Sequence, residues 1–134
     1  MTYALDTNIV IRYLREDEYV TTHLDNAVAN NNGICIPQMV DYEIRRGFSI
    51  SIQPRKEAAY KIFLERCPII KIDNVTWEQT IQVYKDLYVK GFTVDEMDMF
   101  IGALCVQHGY TLVTNNTKDF KNISRLTILD WTQP

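Results

Sequence analysis

The sequence predicts an α/β fold in which a central parallel sheet of about five short strands carries helices on both faces. Two observations lead to this fold class. Short apolar runs recur along the chain, and amphipathic segments with a helical period of about 3.6 residues separate them. Short buried strands that alternate with helices form parallel sheets, because right-handed crossovers place the helices on the faces. Ligands of such folds bind beyond the carboxyl ends of the strands.

Five apolar runs are the predicted strands: Tyr3–Leu5, Ile34–Ile36, Ile69–Ile72, Tyr110–Val113 and Leu126–Leu129. Pro37 ends the second of them, because proline has no N–H group to donate to a neighbouring strand. The shortness and apolar character of these runs indicate strands that are buried on both sides.

Six helices are predicted, and each has a capping residue or a proline near its start. They begin, in chain order, at Thr7 or Asn8, Thr21 or Thr22, Gln38, Pro54, Thr76 and Asp95. Thr76 and Gln79 have the spacing of a capping box for the fifth helix. Gly91 and Gly109 end the fifth and sixth helices.

Helical spacing also predicts which side chains of these helices face inward. The predicted inward residues are Leu24, Ala27 and Val28 on the second helix, Ala58, Ala59, Ile62 and Phe63 on the fourth, and Trp77, Ile81, Tyr84 and Tyr88 on the fifth.

Length and composition set limits on the class of protein. The chain has 134 residues, and we expect residues 1–134 to form a single domain. Its 14 basic and 17 acidic residues give a net charge of −3, which argues against nucleic-acid binding by bulk positive charge.

Cys35, Cys67 and Cys105 lack metal-site spacing, and we expect buried thiols in a reducing cytoplasm. We expect no membrane partner, since no apolar run could span a bilayer and no secretory signal is evident.

Ligands of parallel α/β folds bind near residues that follow strands or lie on the helices that come next. Four carboxylates occupy positions of this kind: Asp6, Glu43, Asp98 and Asp119. Helical spacing predicts that Glu43 and Asp98 lie on the apolar faces of their helices. Burial of a carboxylate there lowers the stability of the fold unless a cation or a hydrogen-bond donor contacts it. Each acid alone has a structural explanation: Asp6 as a helix cap, Asp98 as a charge at the positive end of a helix, and Asp119 as a turn residue. Their convergence at one edge of one sheet favours a functional site.

Several close carboxylates without a neighbouring cation would repel one another, and a divalent cation resolves this repulsion. Ligands that are all oxygens select Mg²⁺ or Mn²⁺ over zinc. A site of this kind activates water and stabilises charge on a phosphodiester. It also allows an acidic protein to act on nucleic acid.

Competing chemistries have weaker support in the sequence. His23 lies within a predicted helix and His108 at the end of another, so a two-histidine ribonuclease site is not expected. The five glycines are scattered and form no phosphate-binding loop. Asp6 is followed by Thr7 and Asn8, which is not the pattern of a phosphoaspartyl phosphatase.

Four segments in order resemble the motifs of the PIN-domain family, and within it the VapC-type toxins of bacterial toxin–antitoxin systems. The resemblance covers nearly the whole chain. The segments are Leu5-Asp6-Thr7-Asn8, Val40-Asp41-Tyr42-Glu43-Ile44 with Gly47, Asp98 to Ala103, and Leu112 to Phe120, followed by Leu129-Asp130-Trp131. The resemblance implies a PIN-like three-layer fold with strand order 3-2-1-4-5.

The resemblance also implies an activity, that of a Mg²⁺- or Mn²⁺-dependent endoribonuclease. Asp6, Glu43 and Asp98 match its metal ligands and catalytic acids, and Asp119 matches the more variable fourth. Asn8, Thr114 and Asn116 match polar positions that orient carboxylates or water. Asp95 and Glu96 depart from the pattern before the third acid, and we expect them to be solvated. The end of the chain is similar to the subgroup that cuts initiator tRNA in the anticodon stem-loop.

Partners follow from the same resemblance. It implies a homodimer, a cognate VapB-type antitoxin that blocks the site, and contact with operator DNA only through that antitoxin. The eight tyrosines and Trp77 supply contact surface for such partners. Two other hypotheses stay open, namely a PIN nuclease of housekeeping RNA processing and a non-catalytic PIN scaffold that binds RNA or protein.

Overall fold

Five strands and seven helices make up the fold that the computed structural model shows for residues 1–134. The strands are β1 (Thr2–Leu5), β2 (Gly33–Pro37), β3 (Ile69–Ile70), β4 (Thr111–Val113) and β5 (Ile128–Leu129). The helices are α1 (Thr7–Leu14), α2 (Glu18–Ala29), α3 (Gln38–Ile50), α4 (Pro54–Arg66), α5 (Asn74–Lys90), α6 (Glu96–His108) and α7 (Thr117–Phe120).

The strands form one parallel sheet in the order β3-β2-β1-β4-β5, which confirms the predicted fold class and strand order. Leu5 at the end of β1 pairs with Val113 at the end of β4. The residues that follow these two strands, Asp6 and Thr114, therefore leave the sheet side by side. Their position at the carboxyl edge determines where the candidate site lies.

The core lies along the central strands, as expected of a sheet covered on both sides. Leu5, Ile36 and Leu112 are fully buried on three adjacent strands, and Ile101 of α6 is fully buried against them. Burial of such side chains is the main favourable contribution to folding.

Aspartates cap four of the helices, and for α1, α2 and α5 the cap differs from the one predicted. Asp6 Oδ1 accepts from the N–H of Thr7 over 2.8 Å at the start of α1, and Asp17 Oδ1 accepts from Val20 over 3.0 Å in α2. Asp73 caps α5 in a capping box with Thr76, which is the third helical residue and not the cap. A carboxylate satisfies the first N–H groups and also interacts favourably with the positive end of the helix. The predicted caps Thr7 or Asn8, Thr21 or Thr22, and Thr76 are therefore wrong.

The inward face of α4 is also rotated relative to the prediction. Phe63 is buried as predicted, but Ala58 and Ile62 are exposed, and Tyr60 is buried although it was not predicted to be. The Tyr60 hydroxyl donates to Oδ1 of the buried Asp41 over 2.7 Å, and this hydrogen bond joins the buried side of α4 to α3. Apolar spacing alone could not reveal a face that is selected by a buried polar pair. On α2, Leu24 and Ala27 are buried as predicted, but Val28 is exposed.

The largest departure concerns α5, whose predicted inward stripe faces outward. Trp77, Ile81, Tyr84 and Tyr88 are between 50% and 73% exposed. The buried residues of this helix are Thr76, Thr80 and Leu87. Thr80 can lie inside because its hydroxyl donates to the Thr76 carbonyl oxygen over 2.8 Å, so that its polar group is satisfied within the helix.

The remaining differences are small. β3 and β5 are shorter than the predicted runs, and α7 is a short helix that the sequence pattern did not indicate. All three cysteines are free and buried, and burial raises the pKa of the Cys35 thiol to about 12. None of the helices combines the length and the apolar character that a membrane crossing requires.

Candidate active site

Asp6 is the most buried acid of the predicted set, with 4% of its surface exposed. Its Oδ2 accepts from the Thr114 hydroxyl over 2.7 Å and from Asn8 Nδ2 over 3.1 Å. Burial raises the pKa of Asp6, although the hydrogen bonds from Thr114, Thr7 and Asn8 oppose this shift. Several donors therefore orient the Asp6 carboxylate, while its burial disfavours the charged form.

The turn after β4 supports this arrangement. Thr114 is fully buried, and its hydroxyl oxygen accepts from the N–H of Asn116 over 3.0 Å. The N–H of Asn115 donates to Asn8 Oδ1 over 2.9 Å, which directs the Asn8 amide nitrogen toward Asp6. Asn8 and Thr114 therefore lie where the sequence predicts. Asn116 makes its contact through the backbone, and its exposed side chain forms no hydrogen bond within the chain.

Asn115 also belongs to this arrangement, although the sequence pattern does not indicate it. Its side chain donates to Thr132 Oγ1 over 2.8 Å, and Thr132 Oγ1 donates to Asp130 Oδ1 over 2.7 Å. The C-terminal segment is in this way joined to the turn beside Asp6. The only signal of Asn115 in the sequence is its position, two residues after the end of β4 and next to Thr114.

Glu43 and Asp98 approach the same region from α3 and α6, and both are half-buried. Burial and the negative charge of Asp6 raise the pKa of Glu43. Burial raises the pKa of Asp98 to about 7, with further contributions from Asp6, Asp95, Asp119 and Glu43. Glu43, Asp98 and Asp119 therefore lie within range of electrostatic interaction with Asp6.

Asp119 and Asp95 lie at the rim of this cluster. Asp119 is exposed on α7, and its charge acts on both Asp6 and Asp98. Asp95 is the exposed N-cap of α6, where its Oδ2 accepts from the N–H of Met97 over 3.2 Å. Its charge also acts on Asp98 and Glu43. Asp95 is therefore solvated as expected, yet it adds to the negative field of the cluster, while Glu96 is exposed beside it.

The donor chemistry of the cluster fits a hard divalent cation, although its side chains do not form a closed ligand set. No group of three or more His, Cys, Asp or Glu side chains stands at metal-binding spacing. All the acids offer oxygen, which Mg²⁺ and Mn²⁺ prefer. The buried Thr7 hydroxyl, in the first turn of α1 beside Asp6, has no hydrogen-bond partner within the chain. A cation or its water would satisfy these oxygens and offset the repulsion among the acids.

The two histidines have structural roles elsewhere. His23 Nε2 lies 2.8 Å from the Gln133 carbonyl oxygen, and its ring stacks on Trp131. His108 stacks on Tyr110 in the last turn of α6. Asp98 is in the first turn of that helix, about 15 Å away at 1.5 Å per residue.

Comparisons with known proteins indicate the family of the chain. The model of the PIN domain family matches residues 3–126. The chain is 31% identical to ribonuclease VapC2 of Rickettsia felis, over 98% of each sequence. It is 26% identical to the tRNA(fMet)-specific endonuclease VapC of Salmonella typhimurium, again over 98% of each.

A solved structure shows the same likeness in three dimensions. The crystal structure of VapBC2 from Rickettsia felis, bound to a DNA fragment from its promoter, superposes with a TM-score of 0.90 at 30% identity. The match covers 98% of this chain and 99% of that one. The family model, the relatives and the shared fold together show that the chain belongs to the PIN domain family and, within it, to the VapC group.

Proposed function

We propose that this protein is a metal-dependent endoribonuclease that hydrolyses RNA phosphodiester bonds and acts as the toxin of a toxin–antitoxin pair. The observation that carries the proposal is the buried Asp6 carboxylate, held by Thr114 and Asn8 at the carboxyl edge of the sheet. Glu43 of α3 and Asp98 of α6 are half-buried, and burial together with the negative charge of Asp6 raises the pKa of both. The two VapC relatives are named as a ribonuclease and an endonuclease, which supports the same activity.

Asp6, Glu43, Asp98 and Asp119 would hold Mg²⁺ or Mn²⁺. Such an ion, when bound, supplies an activated water and offsets the charge that develops on a phosphodiester. Thr114 and Asn8 keep the Asp6 oxygens in a single orientation, and the Asn115 N–H keeps Asn8 from rotating. The half-buried positions of Glu43 and Asp98 limit access of water to their carboxylates. These residues preorganise a negative site whose repulsion a cation relieves.

Initiator tRNA is the substrate we favour. The Salmonella relative is a tRNA(fMet)-specific endonuclease and aligns over 98% of its length with this chain. The three thiols are free and buried, which suits a reducing compartment, and we place the activity in the cytoplasm, where tRNA is found.

The partner we propose is a VapB-type antitoxin that covers the acidic site and carries the pair to operator DNA. The Rickettsia structure contains VapB and VapC together on promoter DNA. This chain has a net charge of −3 and no bulk positive charge of its own for DNA. DNA contact through the antitoxin accounts for both observations.

A second copy of the chain is the other partner we propose. The exposed stripe of α5 contains Trp77, Ile81, Tyr84 and Tyr88 at alternating spacings of four and three residues. This is the spacing of helices that pack against one another, and large aromatic side chains are enriched at interfaces. A contiguous apolar face of this kind is uncommon on a monomer.

The activity is tested by incubating the purified chain, freed of any partner, with tRNA in Mg²⁺ and in EDTA. Cleavage is expected with Mg²⁺ or Mn²⁺ and is expected to stop in EDTA. Asp6→Asn, Glu43→Gln and Asp98→Asn should each lower the rate at least about 100-fold, and Asp119→Asn should lower it less. The double substitution of His23 and His108 to Gln is the control and should retain cleavage. Activity that persists in excess EDTA would contradict the proposal.

A further inference from the structure

Gly47 is a helix-interior glycine that the fold itself does not require. It lies within α3, and it is absent from the residues with positive φ, which include Gly91 and Gly109. A Cβ atom built on Gly47 would meet no other atom within 4 Å. Glycine in a helix interior lowers stability relative to alanine, so its presence here calls for a reason outside the packing of the chain.

The space beside Gly47 is a cavity of about 170 Å³ that Glu43 also lines. Phe48 and other apolar side chains of α1 and α3 form its walls. Arg15, Gln53 and Lys56 complete the lining. The cavity therefore joins an apolar slot to cationic and amide groups directly beside an acid of the candidate site.

The polar groups of this cavity are uncommitted within the chain. Arg15 and Lys56 take part in none of the ion pairs, whereas Arg12 and Arg45 are paired with Asp17 and Asp41. Gln53 precedes α4 as its N-cap residue, but its side chain makes no capping hydrogen bond. An amide presents both a donor and an acceptor, which suits the edge of a base, and two cations suit a phosphate.

We propose that this cavity is a subsite for one nucleotide of the RNA next to the scissile phosphodiester. The base lies against Phe48 over Gly47, the Gln53 amide meets its edge, and Arg15 and Lys56 hold its phosphate. Stacking on an aromatic ring and contact with cations are the usual means of binding an unpaired nucleotide. The inference rests on the proposed endoribonuclease activity, since it places the substrate relative to Glu43.

The test uses nucleotide binding without catalysis, so that its outcome is separate from that of the cleavage assay. The full chain, labelled with ¹⁵N, is titrated with each of the four nucleoside 5′-monophosphates and with ribose 5-phosphate as a probe without a base. Gly47→Leu fills the apolar slot, and leucine has a high helix propensity. Gly47→Ala is the matched control, because alanine also favours the helix but adds only a methyl group to the slot. The amide signals of Ile44, Phe48 and Gln53 report occupancy.

A nucleoside monophosphate is expected to shift these signals at concentrations at which ribose 5-phosphate does not. Gly47→Leu should abolish the shifts, and in the cleavage assay it should raise KM at least about fivefold with a smaller change in kcat. Gly47→Ala should retain both. Equal shifts from ribose 5-phosphate would overturn the subsite. Unchanged nucleotide binding and KM in Gly47→Leu would also overturn it. Loss of antitoxin binding alone in that variant would overturn it as well, because the cavity would then be part of the antitoxin interface.

Discussion

The Thr114 hydroxyl donates to Asp6 Oδ2 over 2.7 Å, between residues that are 108 positions apart in sequence. The parallel pairing of Leu5 with Val113 places the two side chains together. The same hydroxyl oxygen accepts from the Asn116 N–H. One side chain therefore orients an acid of the site and also anchors the turn that leads to Asp119.

Thr114→Val removes this hydroxyl at nearly constant volume. We expect the free energy of unfolding to fall by about 1–3 kcal/mol, because the buried acceptor Asp6 and the Asn116 N–H both lose a partner. RNA cleavage should fall by about 10–100-fold, the usual cost of losing a group that orients a metal ligand. Urea denaturation and initial rates at saturating Mg²⁺ measure the two effects.

Thr114→Ser keeps the hydroxyl and is the matched control, which should stay within about threefold of the wild-type rate. A valine variant as active as the serine variant would show that Thr114 does not position Asp6.

The sequence sufficed to predict the sheet and to place the candidate acids near one of its edges, since both depend on patterns that the backbone imposes. Short buried runs allowed only a parallel sheet, and the residues after β1 and β4 had to meet at its carboxyl edge. Asp6 and Asp98 each have a structural explanation, as a helix cap and as a charge in the first turn of a helix, and they were singled out because several acids converge at one edge of the sheet. Asn115 was missed because its role depends on a contact with the tail at Thr132, which no local pattern encodes.

The errors on α4 and α5 share a physical cause. In both helices a polar side chain lies inside because its hydroxyl is satisfied there, as with Tyr60 on Asp41 and Thr80 on the Thr76 carbonyl. Apolar spacing assumes that polar groups face water. In the dimer that we propose, the aromatic stripe of α5 packs against a second chain, which is a further reason for its exposure in a single chain.

The metal-free protein should lose stability as the pH rises from about 4 to about 7. The pKa of Asp98 is about 7 in the folded chain, mainly because of burial, whereas an aspartate in an unfolded chain titrates near about 3.9. Between these values the folded state binds the additional proton, so the free energy of unfolding declines with rising pH and levels off above the folded pKa. Thermal unfolding in EDTA between pH 4.5 and 8 measures this slope.

Asp98→Asn should flatten that slope and raise the melting temperature at pH 8, because one of the repelling charges is absent. Added Mg²⁺ should stabilise the wild type most at high pH, since the ion competes with the proton that Asp98 releases. A wild type and a variant with the same slope in EDTA would contradict the raised pKa.

The exposed stripe of α5 predicts a dimer that one charge can disrupt. Tyr84 lies in the middle of the stripe and stacks on Tyr88, with ring centroids 6.2 Å apart. Tyr84→Glu would bury a charge in the proposed interface, and we expect it to convert the protein to a monomer of 15.7 kDa. Gln82→Glu adds the same charge on another side of α5 and should leave the dimer intact. Sedimentation equilibrium measures both masses, and a monomeric wild type would exclude this interface.

Mg²⁺ should weaken inhibition by the antitoxin. The cluster around Asp6 and Asp98 contains several carboxylates, and burial and mutual repulsion raise the pKa of Asp98. An arginine from a partner would pair with these acids through its planar fork and occupy the place of the metal. Ion and antitoxin then bind competitively, so the antitoxin concentration that halves cleavage should rise with Mg²⁺.

Inhibition is titrated at several Mg²⁺ concentrations with ionic strength held constant by KCl, because salt alone screens charge pairs. Asp119→Asn, at the exposed rim, should reduce this competition less than Asp98→Asn. Inhibition that does not depend on Mg²⁺ would place the antitoxin outside the acidic site.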